Sequence, residues 1–559
     1  MDEVMKMRVV LAALNAKYIH KNLALRWLYV SRPASFDVQI VEGVIRDDPM
    51  NTANRISAYR PDVVGLSVYI FNAEETKALI ACLLNLMPEV RIILGGPEVT
   101  YHPEPWLKLG VEAVVCGEGE TVFWEYLQGK PSPSIQTNHQ VSSEVARVDL
   151  SLLETMESPY FLELDEADMD KRYLYMETAR GCPYDCAYCL SSLEKGMRRF
   201  SDAYLDKTFD RLADSGVKQV KFLDRTFNVD PVRALQIARR LTELPSSISF
   251  HVELVGDTLG PEIIDFFTSQ AKSRFRVEIG VQSFNRKTLL EVGRFSRLDV
   301  LKKVILQFSE AGVHQHTDLI AGLPYEDYYS FKQSFNTLFS LNPFEIQVGI
   351  LKLLHGTRLR RNHETYGYTF TDQAPYPITS SSWMSEEDMK SVESVANAVE
   401  KLYNSQKLRH TLSHWVEENK LDAFDLFLKV GNALRTLKHP YSQRDFFRCI
   451  ADAVKEDVLL PLNRLKGDYY RLSPIYPQPF WEEGELDDQG KEVRKAIRNR
   501  LDSNKISVKH MKIVERADGK VGSDVWVYPA LGKSHTVLRF DEKYNLESET
   551  VYESTHRDA

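Results

Sequence analysis

Cysteine is scarce in this chain, with six in 559 residues. That density excludes a disulfide framework and fits a reducing compartment. No apolar run is long enough to span a bilayer. The opening Met-Asp-Glu-Val-Met-Lys runs directly into a short apolar segment without a signal-peptide pattern. A cytoplasmic location and no membrane partner are therefore expected. Basic charge is not in excess either. Seventy Lys and Arg stand against 79 Asp and Glu, a net charge of −9, which argues against a global polyanion-binding surface. What remains is an ordinary globular composition, 43% hydrophobic and 27% charged. Its length accommodates about three or four domains.

Three of the six cysteines stand together: Cys182, Cys186 and Cys189, in Arg-Gly-Cys-Pro-Tyr-Asp-Cys-Ala-Tyr-Cys. Cysteine thiolates hold iron–sulfur clusters, and a cubane has four irons. Three thiolates leave one iron open to chelate a small molecule. The alternatives are a zinc site or buried thiols. Zinc usually takes four ligands, often as two pairs, and no second pair exists. Cys82, Cys116 and Cys449 stand alone, and the first two lie in apolar runs, where Cys packs as a small core residue. The CxxxCxxC spacing, with Tyr188 before the last Cys, resembles the cluster loop of the radical S-adenosylmethionine (SAM) superfamily. The resemblance implies a [4Fe-4S] cluster whose open iron holds SAM, and cleavage of SAM to a 5′-deoxyadenosyl radical.

Residues 1–130 alternate short β-type runs with helical patterns, the signature of βαβ units. Candidate strands are 7–14, 37–41, 63–69, 91–95 and 113–116, with a helix over 73–87. A flavodoxin-like doubly wound sheet is expected, with ligands beyond the carboxyl strand ends. Those ends carry Ser67 and Tyr69 with Asn72 beyond, then Gly95, Gly96, Pro97 and Glu98, then Gly117, Glu118, Gly119 and Glu120. Each glycine run alone reads as a tight turn. Together, and upstream of the cysteine loop, they resemble the cobalamin-binding domain of cobalamin-dependent radical SAM enzymes. The Asp-x-His-x-x-Gly motif that supplies a lower imidazole is absent; the first loop reads Asn15-Ala16-Lys17-Tyr18-Ile19-His20-Lys21. The resemblance thus implies base-off, His-off cobalamin, and leaves His20 as a helix-start residue or a supporting group. Residues around Tyr69–Asn72 are candidates for the lower face of the cobalt.

Residues 131–170 read as a surface linker, with the acidic run 163–170 as a solvated face. Residues 171–370 repeat strand and helix signals, with strands at 174–178, 219–223, 249–254, 276–281, 314–320 and 345–351. Six units predict an open partial (β/α)6 barrel, with function at the carboxyl ends of its strands. Asp224 ends the second strand, where a carboxylate could accept hydrogen bonds from the SAM ammonium. Glu278, Gln282 and Ser283 end the fourth, and the resemblance places polar contacts to SAM there. Asp318 to Pro324 resembles the superfamily's Gly-x-Ile-x-Gly region, with Ile320 and Gly322 near adenine and Asp318 in place of the first Gly. His314, His316 and Asp318 alternate, so they share one face. Facing inward they would line a reaction chamber, where a His suits proton transfer; facing a core they would be hydrogen-bonded polar groups. The run 351–357 resembles the barrel closure of coproporphyrinogen-dehydrogenase-like radical SAM proteins.

Residues 371–559 predict a mainly helical capping region with a small β element: helices at 384–404 and 424–437, strands at 526–529 and 536–540. The run 424–432 resembles an uncharacterised C-terminal domain of some cobalamin-binding radical SAM proteins, expected to shape substrate specificity. Arg494, Lys495, Arg498 and Arg500 form a short basic run that reads as a solvated helix face; nucleic acid is not expected. The α/β reading leads to a cobalamin-dependent radical SAM methyltransferase acting on an unactivated carbon through methylcobalamin. A small-molecule substrate and an external electron donor of flavodoxin or ferredoxin type go with it. The alternatives are a cyclase or rearrangement enzyme with the same cofactors, a transfer-RNA methylthiotransferase, and a non-catalytic cobalamin sensor.

Overall fold

A computed structural model describes residues 6–194 and 196–458, isolated positions from 465 to 499, and four strands between 510 and 553. Of the basic run, Arg494, Arg498 and Arg500 lie outside the described residues. The chain divides into two compact units, 1–344 with 349–389, and 345–348 with 390–559.

The first unit opens with six strands: β1 Met7–Asn15, β2 Phe36–Val44, β3 Val63–Ser67, β4 Arg91–Gly95, β5 Ala113–Val115 and β6 Ile135–Gln136. Their order is β2-β1-β3-β4-β5-β6, parallel except for β6, which pairs antiparallel with β5. Alternation splits the apolar strands between two cores. Val10, Ala12 and Leu14 pack with Leu79, Ile80 and Leu83 of helix Ala73–Leu86 on one face. Val9, Leu11 and Ala13 pack with Leu25, Phe123 and Trp124 on the other. The expected doubly wound sheet is there; β6 is an addition, contributed by the segment read as linker.

The segment corrects the reading of the acidic run. Residues Glu163–Asp168 form a short helical turn, and Asp165 is 2% exposed. Arg26 grips it with two hydrogen bonds of 2.6 and 2.7 Å, and Lys21 Nζ stands 3.3 Å away. Arg26 also binds Glu42, which Arg172 reaches at 3.1 Å. Burial works against the Asp165 carboxylate, but Arg26 and Lys21 overcome it and hold the group below its ordinary value of 3.8. Its stabilisation is therefore complete above that value and is lost as pH falls through the lower folded value. Asp165→Asn should cost about 3 kcal/mol at neutral pH and flatten the acid limb of a melting-temperature profile; an unchanged acid limb would refute this assignment.

The strand β7 Leu174–Met176 starts the barrel, and the two-residue strands β8 Ala179–Arg180 and β9 Arg198–Arg199 pair across the base of the cysteine loop. Then come β10 Gln219–Phe222, β11 Ser249–Leu254, β12 Phe275–Gln282, β13 His314–Ala321 and β14 Glu345–Ile350. The order β14-β13-β12-β11-β10-β7 is sequential and open, the product of successive right-handed crossovers. Every second residue is buried beneath the outer helices: Val220, Phe250, Val252, Val277, Ile279, Thr317 and Leu319. The intervening residues are half-buried and face the lumen. A bulge at Gly280 to Gln282 re-aims the top of β12.

In the second unit, helix Ala423–Arg435 packs close to Ser394; a Cβ on Gly431 would lie 2.2 Å from the Ser394 carbonyl oxygen. The strands β17 His510–Glu515, β18 Ser523–Tyr528, β19 Ser534–Phe540 and β20 Leu546–Glu553 form an antiparallel sheet in that order, after the short hairpin β15 Thr369–Phe370 and β16 Ile378–Ser380 of the first unit. Among the described residues no helix is long and apolar enough to cross a membrane.

Candidate functional site

The cysteine loop leaves β8 and is held by its main chain. Ala187 N donates to Val292 O at 2.8 Å, and Leu359 N to Ala187 O at 3.0 Å. Cys186 is buried and Cys182 and Cys189 are half-buried; all three are free thiols. Burial pushes the Cys182 thiol up, and the adjacent Cys189 and Cys186 add to it, so the three sulfurs share one neighbourhood. Tyr188 is close to Cys186, with the half-buried Arg294 beside both. A donor set of three soft sulfurs fits an iron–sulfur cluster with one open iron.

The lumen beside this loop is polar. Glu253, Glu278 and His316 are register neighbours, as are Gly280 and Asp318 one step higher. Ligand atoms of Glu278, His316 and Asp318 lie within 4.8 Å of one another. His251 Nε2 is 3.2 Å from Glu278 Oε2, and His316 Nε2 is 3.6 Å from Asp318 Oδ1. Burial raises Glu253 to about 7. Burial also opposes charge on Glu278, but His251, His316 and Lys221 hold it below its ordinary value. Asp318 is raised by burial and then by Glu278 and Glu253. Among the described residues, Asp318 Oδ1 and Gln282 Oε1 are buried acceptors with no hydrogen-bond partner. Two orphaned acceptors near the cysteines fit a ligand that presents ammonium and hydroxyl donors, as SAM does. The inward option for His314, His316 and Asp318 is the one realised; His314 lies lowest, its ring 3.9 Å from that of Phe344. Ile320 shares their face, and the Gly322 carbonyl accepts from Tyr368 at 2.9 Å.

Several expected contacts are committed elsewhere. Asp224 is 3% exposed and accepts from Thr178 N at 2.9 Å and from the Thr178 hydroxyl; it anchors the end of β7 and does not face the lumen. Ser283 is fully buried and donates to Glu326. Asn72 is fully buried, accepting from Tyr69 N at 2.8 Å and donating to Leu14 O at 2.9 Å, so it shapes the turn after β3 and offers nothing to a cobalt. Glu98 accepts from the Tyr376 hydroxyl. Glu120 lies 2.7 Å from Arg180, and Glu118 3.4 Å, with Arg198 on its other side. Residues missed from the sequence are Glu253, Arg294 and His251. Glu253 and His251 alternate along β11 as His314 and His316 do along β13, which was the available signal.

At the other strand ends, Asn22 Nδ2 donates to Ser67 Oγ at 3.4 Å, and the Tyr69 hydroxyl lies near both. Tyr69 stacks on Phe71, ring centres 5.4 Å apart, and Phe71 is 44% exposed. A Cβ on Gly95 would meet nothing within 4 Å, so the end of β4 is open. Gly96 and Gly117 differ: both have left-handed φ, +112 and +100, and a Cβ would strike the Val68 and Ala146 carbonyls at 2.5 Å. Pro97 starts the helical turn Pro97–Thr100. A Cβ on Gly119 would sit 3.4 Å from Leu28. An open glycine strand end beside hydroxyls and an exposed ring fits a large planar cofactor such as cobalamin. His20 Nδ1 is 2.6 Å from the Tyr175 hydroxyl, so that imidazole is already engaged.

Comparison with known proteins agrees with this geometry. The B12 binding domain family matches residues 9–127, the Radical SAM superfamily residues 176–338, and a protein family of unknown function, DUF4080, residues 364–520. The uncharacterized methyltransferase PH0819 of Pyrococcus horikoshii is 25% identical over 309 residues, covering 52% of this chain and 67% of its own length. The cobalamin-dependent radical SAM methyltransferase TokK of Streptomyces tokunonensis is 26% identical over 322 residues, 52% of this chain and 47% of its own. The match thus spans about two thirds of one curated relative and about half of the other. The structure of TsrM from Kitasatospora setae with cobalamin and a [4Fe-4S] cluster bound shares the fold, with a TM-score of 0.52 at 17% identity, over 67% of this chain and 82% of that one. This chain joins a B12 binding domain to a radical SAM domain, with a [4Fe-4S] cluster, SAM and cobalamin as its cofactors.

Proposed function

We propose that the chain is a methyltransferase acting on an unactivated carbon of a small molecule. One observation carries the reading: the strand ends of the cobalamin domain abut the lumen face of the first barrel strand. His20 reaches Tyr175 at 2.6 Å, and Tyr69 lies near Glu177 and Tyr175. A molecule in the lumen is therefore flanked by the cysteine loop on one side and the cobalamin domain on the other. When bound, cluster and SAM supply the radical that takes a hydrogen from carbon, and cobalamin supplies the methyl group.

The chain's own residues position and insulate. Cys182, Cys186 and Cys189 hold the cluster and leave one coordination position for SAM. Asp318 and Gln282 present free acceptors to its donors. His316, between Glu278 and Asp318, can hold or release a proton at Nε2. With His20 engaged by Tyr175, cobalamin binds without an imidazole from that loop, and an external flavodoxin- or ferredoxin-type donor supplies electrons. The test is mass spectrometry of SAM products from anaerobically reconstituted full-length chain with cobalamin, reductant and a metabolite extract. Repeated turnover should give 5′-deoxyadenosine and S-adenosylhomocysteine in near-equal amounts, together with an extract mass that gains a methyl. 5′-Deoxyadenosine without matching S-adenosylhomocysteine would overturn methyl transfer.

A further inference from the structure

The lowest tier of the barrel lumen carries positive charge that the chemistry above does not use. Register sets Tyr175, Lys221, His251, Arg276 and His314 side by side on five adjacent strands, all on the half-buried lumen face. None of the five is a carboxylate. Lys221 Nζ stands 4.4 Å over the Tyr173 ring, His251 contacts Glu278 in the tier above, and His314 packs on Phe344. Arg276 is different: among the described residues its guanidinium has no hydrogen bond, ion pair or ring partner.

A guanidinium cannot shed its charge. Partial burial without a partner costs free energy, and neither register neighbour of Arg276, His251 or His314, is a carboxylate that could offset it. The planar fork of an arginine matches a carboxylate or phosphate in two parallel hydrogen bonds. The tiers above are acidic, with Glu253, Glu278 and Asp318 toward the cysteine loop. The lumen thus has opposite charge at its two ends, which would orient a guest with an anionic end. We propose that the substrate carries a carboxylate or phosphate and that Arg276, flanked by Lys221, His251 and His314, binds it at the bottom of the lumen. This rests on reading the barrel lumen as the substrate chamber. The middle and upper tiers lie two and four residues further along the strands, so the reacting carbon sits roughly 7–13 Å from the anionic group.

Binding of small probes tests this without turnover. Glutarate and inorganic pyrophosphate are titrated calorimetrically into the full chain carrying cluster and cobalamin. At least one should bind, and which one binds separates a carboxylate from a phosphate site. Arg276→Gln should weaken that binding at least roughly tenfold, Arg276→Lys by less, and Arg286→Gln, which removes an exposed guanidinium, should leave it as in wild type. Arg276→Gln should also melt no lower than wild type without probe, because it relieves an unpaired charge. The proposal is overturned if neither probe binds, if the Arg276 and Arg286 variants behave alike, if Arg276→Gln melts several degrees lower, or if it loses SAM affinity. Failure of methyl transfer in the product assay would leave probe binding intact, so the two ideas fall separately.

Discussion

Cys186→Ala should take bound iron and sulfide to background and abolish 5′-deoxyadenosine formation, while cobalamin binding persists. Cys186 is 7% exposed, so alanine fits its space and the loop keeps its main-chain bonds to Val292 and Leu359. What disappears is one of three thiolates, and two cannot hold a cubane. Ser67, Tyr69 and Gly95, proposed to face cobalamin, lie on other elements and are untouched. Cys82→Ala and Cys449→Ala are the controls; both residues are remote in sequence and half-buried, and both variants should retain full iron. Iron retained by Cys186→Ala, or lost equally in the controls, would overturn the assignment of the ligands. Zinc in place of iron in anaerobically purified protein would do the same.

Arg180→Met should destabilise the first unit by about 3–5 kcal/mol. The Arg180 side chain is 10% exposed and meets Glu120 at 2.7 Å, Glu177 at 3.0 Å and Glu118 at 3.4 Å. Glu118 also has Arg198, and Glu177 accepts from Trp27 Nε1 at 3.1 Å. Among the described residues Glu120 has no other cation, and its second oxygen is already buried without a partner. Methionine fills the volume but strands that carboxylate, and breaking a buried pair costs more than the pair is worth. Adding Glu120→Gln to Arg180→Met should therefore recover part of the loss, a coupling that a double-mutant cycle in urea reads directly. Additive effects would show that the ion pair contributes nothing of its own. Arg180 precedes Cys182 by two residues, so the same variant should reconstitute its cluster less completely.

Much of the architecture was legible because it depends on local periodicity. Ser249–Leu254 and Arg91–Gly95 match their expected bounds, since β-branched and aromatic runs between turn residues leave little choice. The cysteine loop was legible because its chemistry is set by spacing over eight residues. For Asp224 the residue type points to a ligand, but parity along the strand decides its direction. It lies two residues after Phe222, on the buried side of β10, and the count alone assigns it to that face. Asn72 is a candidate for the lower face of the cobalt by its place after the third strand, whereas its amide closes a turn by bonding backbone 58 residues away at Leu14. The acidic run 163–170 could not be placed from sequence at all. Solvation is the default for clustered carboxylates, and only tertiary structure supplies the Arg26 that buries Asp165.

The cluster of Arg26, Lys21, Glu42, Asp165 and Arg172 bears on how such a chain can be inherited. The family boundaries, ending at 127 and restarting at 176, suggest two exchangeable modules. The charges do not divide that way. Cutting between them leaves Arg26 and Lys21 with one half and Asp165 with the other, each half then exposing or burying an uncompensated ion. A recombination event that swapped the cobalamin domain alone would have to import matching carboxylates in the connecting segment. The unit of exchange is the domain together with its connector and the first barrel strand, and a chimera joined after β7 should fold where one joined at residue 130 does not.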